Sequence, residues 1–397
     1  MPSTTLSPGS PALVRPARIL IVDDSAVMRA VLRRAITSDK RIEVVATAAN
    51  GAFALRILES FRPDLVLLDV EMPVMDGLCT LKQMRATGWL TPVIMCSSLT
   101  HRGARVTIEA LASGASDYVA KPLGHSSREA GAEALAQDLI PRILALTGAT
   151  SAQNNFEPAH PSLLPHANYL SDAAISVPRQ HQPASFASPV VLMIGVSTGG
   201  PAALEVVLSA LPSKFPLPVL IVQHMPELFT KMLAERLNDR CALRVSEAVT
   251  GEPVQPGRVY IAKGNRHMEV FSKERYVPGA SPAVVLRLTE DPPENHCRPA
   301  VDALFRSGIS VYGSGVLAVV LTGMGFDGLA GARMVREHGG AVLAQDQATS
   351  AVWGMPGAVV HAGLAHRILP LPAIVPEILR LVTRKQCDAF ELRESMV

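Results

Sequence analysis

Between Arg18 and about Pro122, short continuous apolar runs alternate with segments whose apolar positions recur at helical spacing. The runs ILIVDD, EVVATAA, LVLLD, VIMCSS and DYVAKP are separated in turn by VLRRAI, FALRILESF, LCTLKQMRA and VTIEALASGA. Strands that alternate with helices pair in parallel, because each crossover returns the chain across the sheet before the next strand begins. Runs apolar at every position, rather than at every second one, call for helices on both faces. The pattern predicts a five-stranded, doubly wound parallel sheet within residues 17–140. Between Gly131 and Leu146, AEALAQDLIPRILAL predicts one more helix, broken or kinked at Pro141. It leads into a linker at 141–189, where Pro, Ser, Gln and His mix without period. Residues 190–388 carry a second and larger α/β pattern, with apolar runs VVLMIG, PVLIVQ, VLAVVLTG and AVLAQD, helical segments between them, and a β-rich stretch containing RVYIAKG and AVVLRLTE. Residues 1–16 show neither period and are expected to form a disordered tail.

A chain of 397 residues suits two domains at roughly 100 to 200 residues each. Hydrophobic residues at 48% and charged residues at 18% leave ample material for two cores. With 37 Lys+Arg against 35 Asp+Glu, the formal charge of +2 provides no basic field for nucleic acid and no polybasic patch for a membrane. Cys79, Cys96, Cys241, Cys297 and Cys387 are scattered and form no CxxC pair, which argues against a disulfide framework or a zinc site. The N-terminus lacks the apolar core of a signal peptide, and no apolar run reaches the ~18 residues of a membrane span. The expectation is a soluble cytoplasmic protein that neither binds nucleic acid nor inserts into a membrane.

In an open parallel sheet the functional crevice lies at the carboxyl ends of the strands. There the first half carries Asp23 and Asp24, then Asp69, Ser97 and Lys121, on four different strand ends. Three converging carboxylates repel one another unless a hard cation sits among them, and an all-oxygen donor set suits Mg²⁺. A lysine and a hydroxyl beside them supply what an added phosphoryl group needs, so one aspartate reads as a phospho-acceptor. The plain alternative is that Asp23 or Asp24 caps the next helix. Together, VDDSAVMR, LDVEMPVMDG, SS and AKP resemble a two-component receiver domain over roughly residues 17–140. The resemblance implies that Asp69 takes phosphate from a histidine kinase. It also implies that Asp23, Asp24, Asp69 and the Glu71 carbonyl hold Mg²⁺, and that Ser97, Tyr118 and Lys121 relay the change.

In the second half, Gly195-Val196-Ser197-Thr198-Gly199 follows an apolar run and opens a helix, which fits the G-x-S-x-G turn that exposes a nucleophilic serine. A phosphate-cradling loop is the alternative, but the P-loop lysine and the G-x-G-x-x-G spacing are missing. A serine hydroxyl needs a base, and His224 stands just past the next strand. An acid must then orient the imidazole: Asp327 lies in a Gly-rich turn after another apolar strand, and Asp346 at the end of a later strand is its rival. From spacing alone, Ser197 with Asp327 and His361 also stays open.

IGVSTGGP, VQHMP, HCRPAVDALF, LTGMGFDG and AVWGMP together resemble the catalytic domain of the chemotaxis response-regulator protein-glutamate methylesterases. The resemblance implies Ser197 as nucleophile, His224 as base and Asp327 as orienting acid, with the Thr198 side chain and the Met324 amide as oxyanion donors and Arg298 against the substrate. The implied architecture is α/β in two domains: the receiver, and a larger, mostly parallel α/β hydrolytic domain that needs no cofactor of its own. The implied activity is phosphorylation-activated hydrolysis of glutamate methyl esters on methyl-accepting chemotaxis receptors, with deamidation of receptor glutamines by the same route and a chemotaxis histidine kinase as phosphodonor. A receiver-controlled binding or scaffold protein with an inactive esterase-like domain is the rival.

Overall fold

The computed structural model describes residues 15–98, 100–121, 128–149, 187–273 and 283–394, with the side chains of 128–130 and 384–394 left aside. The tail at 1–14 and most of the expected linker, at 150–186, lie outside the described residues.

The first unit contains strands β1 (Ala17–Val22), β2 (Ile42–Ala48), β3 (Leu65–Asp69), β4 (Val93–Ser97) and β5 (Asp117–Ala120). They form one parallel sheet in the order β2-β1-β3-β4-β5. Helices α1 (Ala26–Ile36), α2 (Gly51–Phe61), α3 (Gly77–Ala86), α4 (His101–Ala112) and α5 (Arg128–Thr147) flank it. The continuous apolar runs have the expected cause: in β1, Ile19 and Ile21 bury on the side of α1 and α5, whereas Leu20 and Val22 bury in the core on the other side. Register places Val22 opposite Leu68 and Ser97 opposite Ala120, so Asp23, Asp69 and Lys121 leave the sheet at one rim.

Two boundary expectations need correction. Helix α5 runs through Pro141 to Thr147 without interruption, so the first residues of the expected linker are helical. Leu135 and Leu139 before the proline, and Ile143 and Leu144 after it, are all buried in one core, and this packing on both sides outweighs the lost backbone hydrogen bond. At the other end, Arg15 falls in the expected tail but holds Asp64 with both guanidinium nitrogens, each at 2.9 Å.

The second unit has a seven-stranded parallel sheet in the order β14-β13-β12-β6-β7-β9-β8. The strands are β6 (Val191–Val196), β7 (Val219–Gln223), β8 (Arg244–Glu247), β9 (Arg258–Ile261), β12 (Val316–Val320), β13 (Ala341–Gln345) and β14 (Arg367–Leu369). An antiparallel pair, β10 (His267–Lys273) and β11 (Ala283–Thr289), stands apart from it, so the β-rich stretch divides between the sheet and a separate ribbon. The helices are α6 (Gly200–Ala210), α7 (Glu227–Arg240), α8 (Val301–Tyr312), α9 (Leu329–Glu337), α10 (Met355–His361) and α11 (Leu371–Glu394).

Strand β6 sits between β7 and β12, with the chain leaving it in one direction and returning on the other side. That is a topological switch point, where an open parallel sheet leaves a crevice. Val196 pairs with Gln223, so Ser197 and His224 emerge side by side. The two units share one buried apolar cluster that includes Leu111 and Tyr118 of the first and Leu204, Met225 and Phe229 of the second. No described helix is long and apolar enough to cross a membrane.

Close packing at β6 yields a prediction. A Cβ on Gly195 would lie 2.4 Å from Val301 Cγ1, and the stiff β-branched Val301 has little room to yield. Gly195→Ala should lower stability by about 1 to 3 kcal/mol, read as a fall in the denaturation midpoint of the second unit. An unchanged midpoint would show that α8 shifts freely at its first turn.

Candidate active site and acidic rim

At the rim of the smaller sheet, Lys121 Nζ lies 2.8 Å from Asp23 Oδ2 and 2.7 Å from Asp69 Oδ1. Burial pushes the Asp69 carboxyl above the usual carboxylate range, with Lys121 opposing that shift and Asp23 adding to it. Helix α1 is capped by Ser25, whose side chain accepts from the Met28 amide, so neither Asp23 nor Asp24 serves as the cap. Asp23 Oδ1 instead accepts from the Ser25 amide at 2.9 Å. Asp23 Oδ2 is buried, and the Lys121 ammonium at 2.8 Å is its partner. Oxygens of Asp23, Asp24 and Asp69 lie within 4.8 Å of one another, and an all-carboxylate donor set of this kind fits a hard divalent cation. The Glu71 amide hydrogen-bonds the Asp69 carboxylate, and its exposed side chain approaches Arg102 at 3.6 Å. Ser97 is fully buried and donates to the Ser98 carbonyl at 3.2 Å. The ring of Tyr118 stacks on Phe229 of α7, with centroids 4.4 Å apart.

In the larger unit, the turn after β6 is built around its glycines. Gly199 takes φ +78°, and a Cβ on Gly200 would meet Gln223 Oε1 at 1.9 Å. Among the described residues, Ser197 is not one of the non-glycine residues with positive φ, so the strain of a hydrolase-type elbow falls on Gly199 instead. The Ser197 carbonyl accepts from the Gly200 amide at 2.8 Å and from Gln223 Nε2 at 2.9 Å, and its amide donates to the Thr322 carbonyl at 3.0 Å. The Ser197 backbone is thereby fixed beside a small pocket that His224 also lines.

His224 Nε2 meets Asp327 Oδ2 at 2.8 Å. The same carboxylate accepts from the amides of Val301 at 2.6 Å, Asp302 at 3.1 Å and Gly328 at 3.0 Å, and from Asn295 Nδ2 at 2.9 Å. Burial alone would raise the Asp327 pKa; the His224 contact and the amides hold it below the usual range. Asp302 is pushed up to about 6 by burial, with Asp327 adding to the shift, while Asn295 bridges the two carboxylates. Burial disfavours protonation of His224, yet the hydrogen bonds to Asp327 and Cys297 carry the imidazole up to about 9. Its other nitrogen, Nδ1, faces Cys297 Sγ at 3.5 Å. Among the described residues Ser197 Oγ makes no hydrogen bond to that imidazole, a looseness common before substrate tightens such a site.

The remaining expected residues divide. Asp346 caps the turn at Thr349 and His361 packs edge-on against Trp353, so neither joins His224 or Ser197. The Met324 amide has no acceptor among the described residues. Thr198 differs from expectation: its hydroxyl donates to Asp117 Oδ2 of the smaller unit at 2.7 Å, so in this arrangement it is not free for an oxyanion. Asp117 is held in turn by Arg142 Nη1 at 2.7 Å. Arg298 lines the cavity between the units, with Nη1 anchored on the carbonyls of Glu290 and Asp291. Sequence reasoning missed Cys297, Asn295, Asp302 and Asp117. HCRPAVD, within a quoted motif, held Cys297 and Asp302 but gave no sign of what either touches.

The family profile described as CheB methylesterase matches residues 192–378, and that of the response regulator receiver domain matches 19–129. A protein-glutamate methylesterase/protein-glutamine glutaminase of a Nocardioides species is 47% identical over 371 residues, covering 93% of this chain and 96% of its own. A relative of the same description from Trichodesmium erythraeum is 44% identical over 365 residues, covering 92% and 99%. The crystal structure of the Thermotoga maritima CheB methylesterase catalytic domain is 42% identical, with TM-score 0.46, over 49% of this chain and 100% of that one.

The imidazole gives a pH prediction. Its folded pKa of about 9 lies above the ordinary 6.5. The stability contributed by the protonated pair is therefore full below the ordinary value and is lost as pH rises through the folded one. NMR titration of His224 should give a midpoint near 9 in the wild-type protein and a lower one in Asp327→Asn, with a stability loss of about 1 to 3 kcal/mol near neutrality. Equal midpoints would remove Asp327 as the cause.

Proposed function

This chain belongs to the receiver-coupled CheB methylesterase family, and on that footing we propose that it hydrolyses glutamate methyl esters of chemoreceptors under control of phosphorylation at Asp69. The observation that carries the reading is the His224–Asp327 pair beside the Ser197 turn at a sheet switch point, with a receiver side chain seated on the next residue, Thr198. Ser197 Oγ attacks the ester carbonyl while the neutral form of the His224 imidazole, the minor form below its raised pKa, takes its proton at Nδ1. Asp327, on Nε2, stabilises the imidazolium that forms. The tetrahedral oxyanion meets the Met324 amide and, once Asp117 withdraws, the Thr198 hydroxyl; such a donor is worth about 3 to 4 kcal/mol. The imidazolium protonates the departing methoxide, and methanol leaves a glutamyl-serine ester. Water, deprotonated by His224, then releases glutamate and restores Ser197. A receptor glutamine follows the same path with ammonia as the leaving group. Arg298 contacts the receptor segment flanking the ester.

In the receiver, Asp23, Asp24, Asp69 and the Glu71 carbonyl would hold Mg²⁺, which supplies positive charge against an incoming phosphoryl group. A chemotaxis histidine kinase is the donor. A phosphoryl on Asp69 adds roughly −1.5 to −2 charge and three acceptors, which draw in Lys121 and Ser97. Lys121 follows β5 directly, so that movement reaches Tyr118 and Asp117 on the same strand and loosens their hold on Phe229 and Thr198. The residues at 150–186 serve as the tether between the two domains, and the protein works in the cytoplasm. Intact catalytic groups favour this reading over the scaffold.

Ser197→Ala should abolish methanol release from methylated receptor membranes while Asp69 still takes phosphate; more than a few per cent of residual activity would reject Ser197. Asp69→Asn should keep the basal rate and lose stimulation by a small phosphodonor. Asp117→Ala should raise the unphosphorylated rate several-fold, because it frees Thr198 without touching the triad. No gain there would place the block elsewhere in the interface.

A further inference from the structure

The pairing of Cys297 with His224 has no part in the ester hydrolysis just described. Sulfur and nitrogen bound to one tetrahedral Zn²⁺, with bonds of about 2.3 Å and 2.0–2.1 Å, stand about 3.5 Å apart. Cys297 Sγ and His224 Nδ1 are separated by 3.5 Å. The imidazole is also held as zinc-bound imidazoles are, with a carboxylate on its opposite nitrogen to fix the ring and raise its basicity. Although a ligand atom from each of His224, Cys297 and Asp327 lies within 4.8 Å of the others, Asp327 is already engaged by three amides and Asn295, so its place is behind the imidazole rather than on a metal. The thiol and the ring open together onto an interdomain cavity of about 300 Å³ that His296 also lines, which leaves room for water to complete the coordination.

We propose that Cys297 Sγ and His224 Nδ1 form a binding site for a thiophilic divalent cation such as Zn²⁺, with Asp327 as the outer carboxylate, and that occupancy silences the esterase by taking the nitrogen that serves as base. Binding needs only the geometry; the inhibitory consequence rests on the proposed role of His224. Thiolate and imidazole select such a metal over Mg²⁺, which separates this site from the acidic rim of the receiver.

The test uses the full-length protein with Mg²⁺ present. Co²⁺ should produce a thiolate-to-metal charge-transfer band that Zn²⁺ displaces, that persists in Cys79→Ala, and that is lost in Cys297→Ala. Zn²⁺ should inhibit methanol release reversibly on addition of chelator. The half-inhibitory concentration should rise at least about tenfold in Cys297→Ala, each protein being scaled to its own metal-free rate. Absence of the band in the wild-type protein, or its survival in Cys297→Ala, overturns the site. A band without inhibition sustains the site and overturns the assignment of His224 Nδ1 as the base.

Discussion

A single buried carboxylate holds the catalytic half in register. Asp327 takes hydrogen bonds from His224, from the first amides of α8, from Gly328 and from Asn295, so the loop after β12, the start of α8 and the end of β7 converge on two oxygen atoms. A buried charge is tolerated only when so supplied with donors. The donors are backbone groups at a helix start and a tight turn, where amides lack other partners and the helix dipole favours an anion. The same interactions that make the charge affordable also orient the imidazole, so the groups that stabilise the carboxylate are those that set the ring.

The receiver reaches this arrangement through a very short path. Asp117 and Lys121 bracket β5, yet one touches Thr198 beside Ser197 and the other bridges Asp23 and Asp69 at the acidic rim. Tyr118 lies between them with its ring on Phe229. A stretch of five residues has few ways to absorb a displacement of its end, unlike a long loop. The buried apolar cluster common to both domains gives this contact the close packing of a core rather than the compliance of a surface.

Much of this was legible in the residues. Strands buried on both faces read as unbroken apolar runs, and chemistry at their carboxyl ends follows from the topology, which is why Asp23, Asp69, Lys121, Ser197 and His224 could be placed in advance. What escaped depends on contacts between distant segments that carry no period. Cys297 and Asn295 belong to a loop in which Asn295 and His296 adopt positive φ, and nothing local says that it folds over His224. The receiver Asp117 looked like an ordinary strand residue until a second domain supplied Thr198. Pro141 misled for a related reason: its local cost is real, but buried leucines and isoleucines on both sides of it decide the outcome.

Under the proposed function, the seat of Asp117 on Thr198 would also make the receptor an effector of the receiver. On the proposed mechanism, a receptor segment that engages Thr198 must displace Asp117, and a phosphoryl group on Asp69 would favour the same displacement. Two ligands that favour one state strengthen each other by equal free energies, whichever arrives first. On that footing methylated receptor and phosphorylation would reinforce each other, and the share of enzyme in the open form would become a property of how much substrate remains.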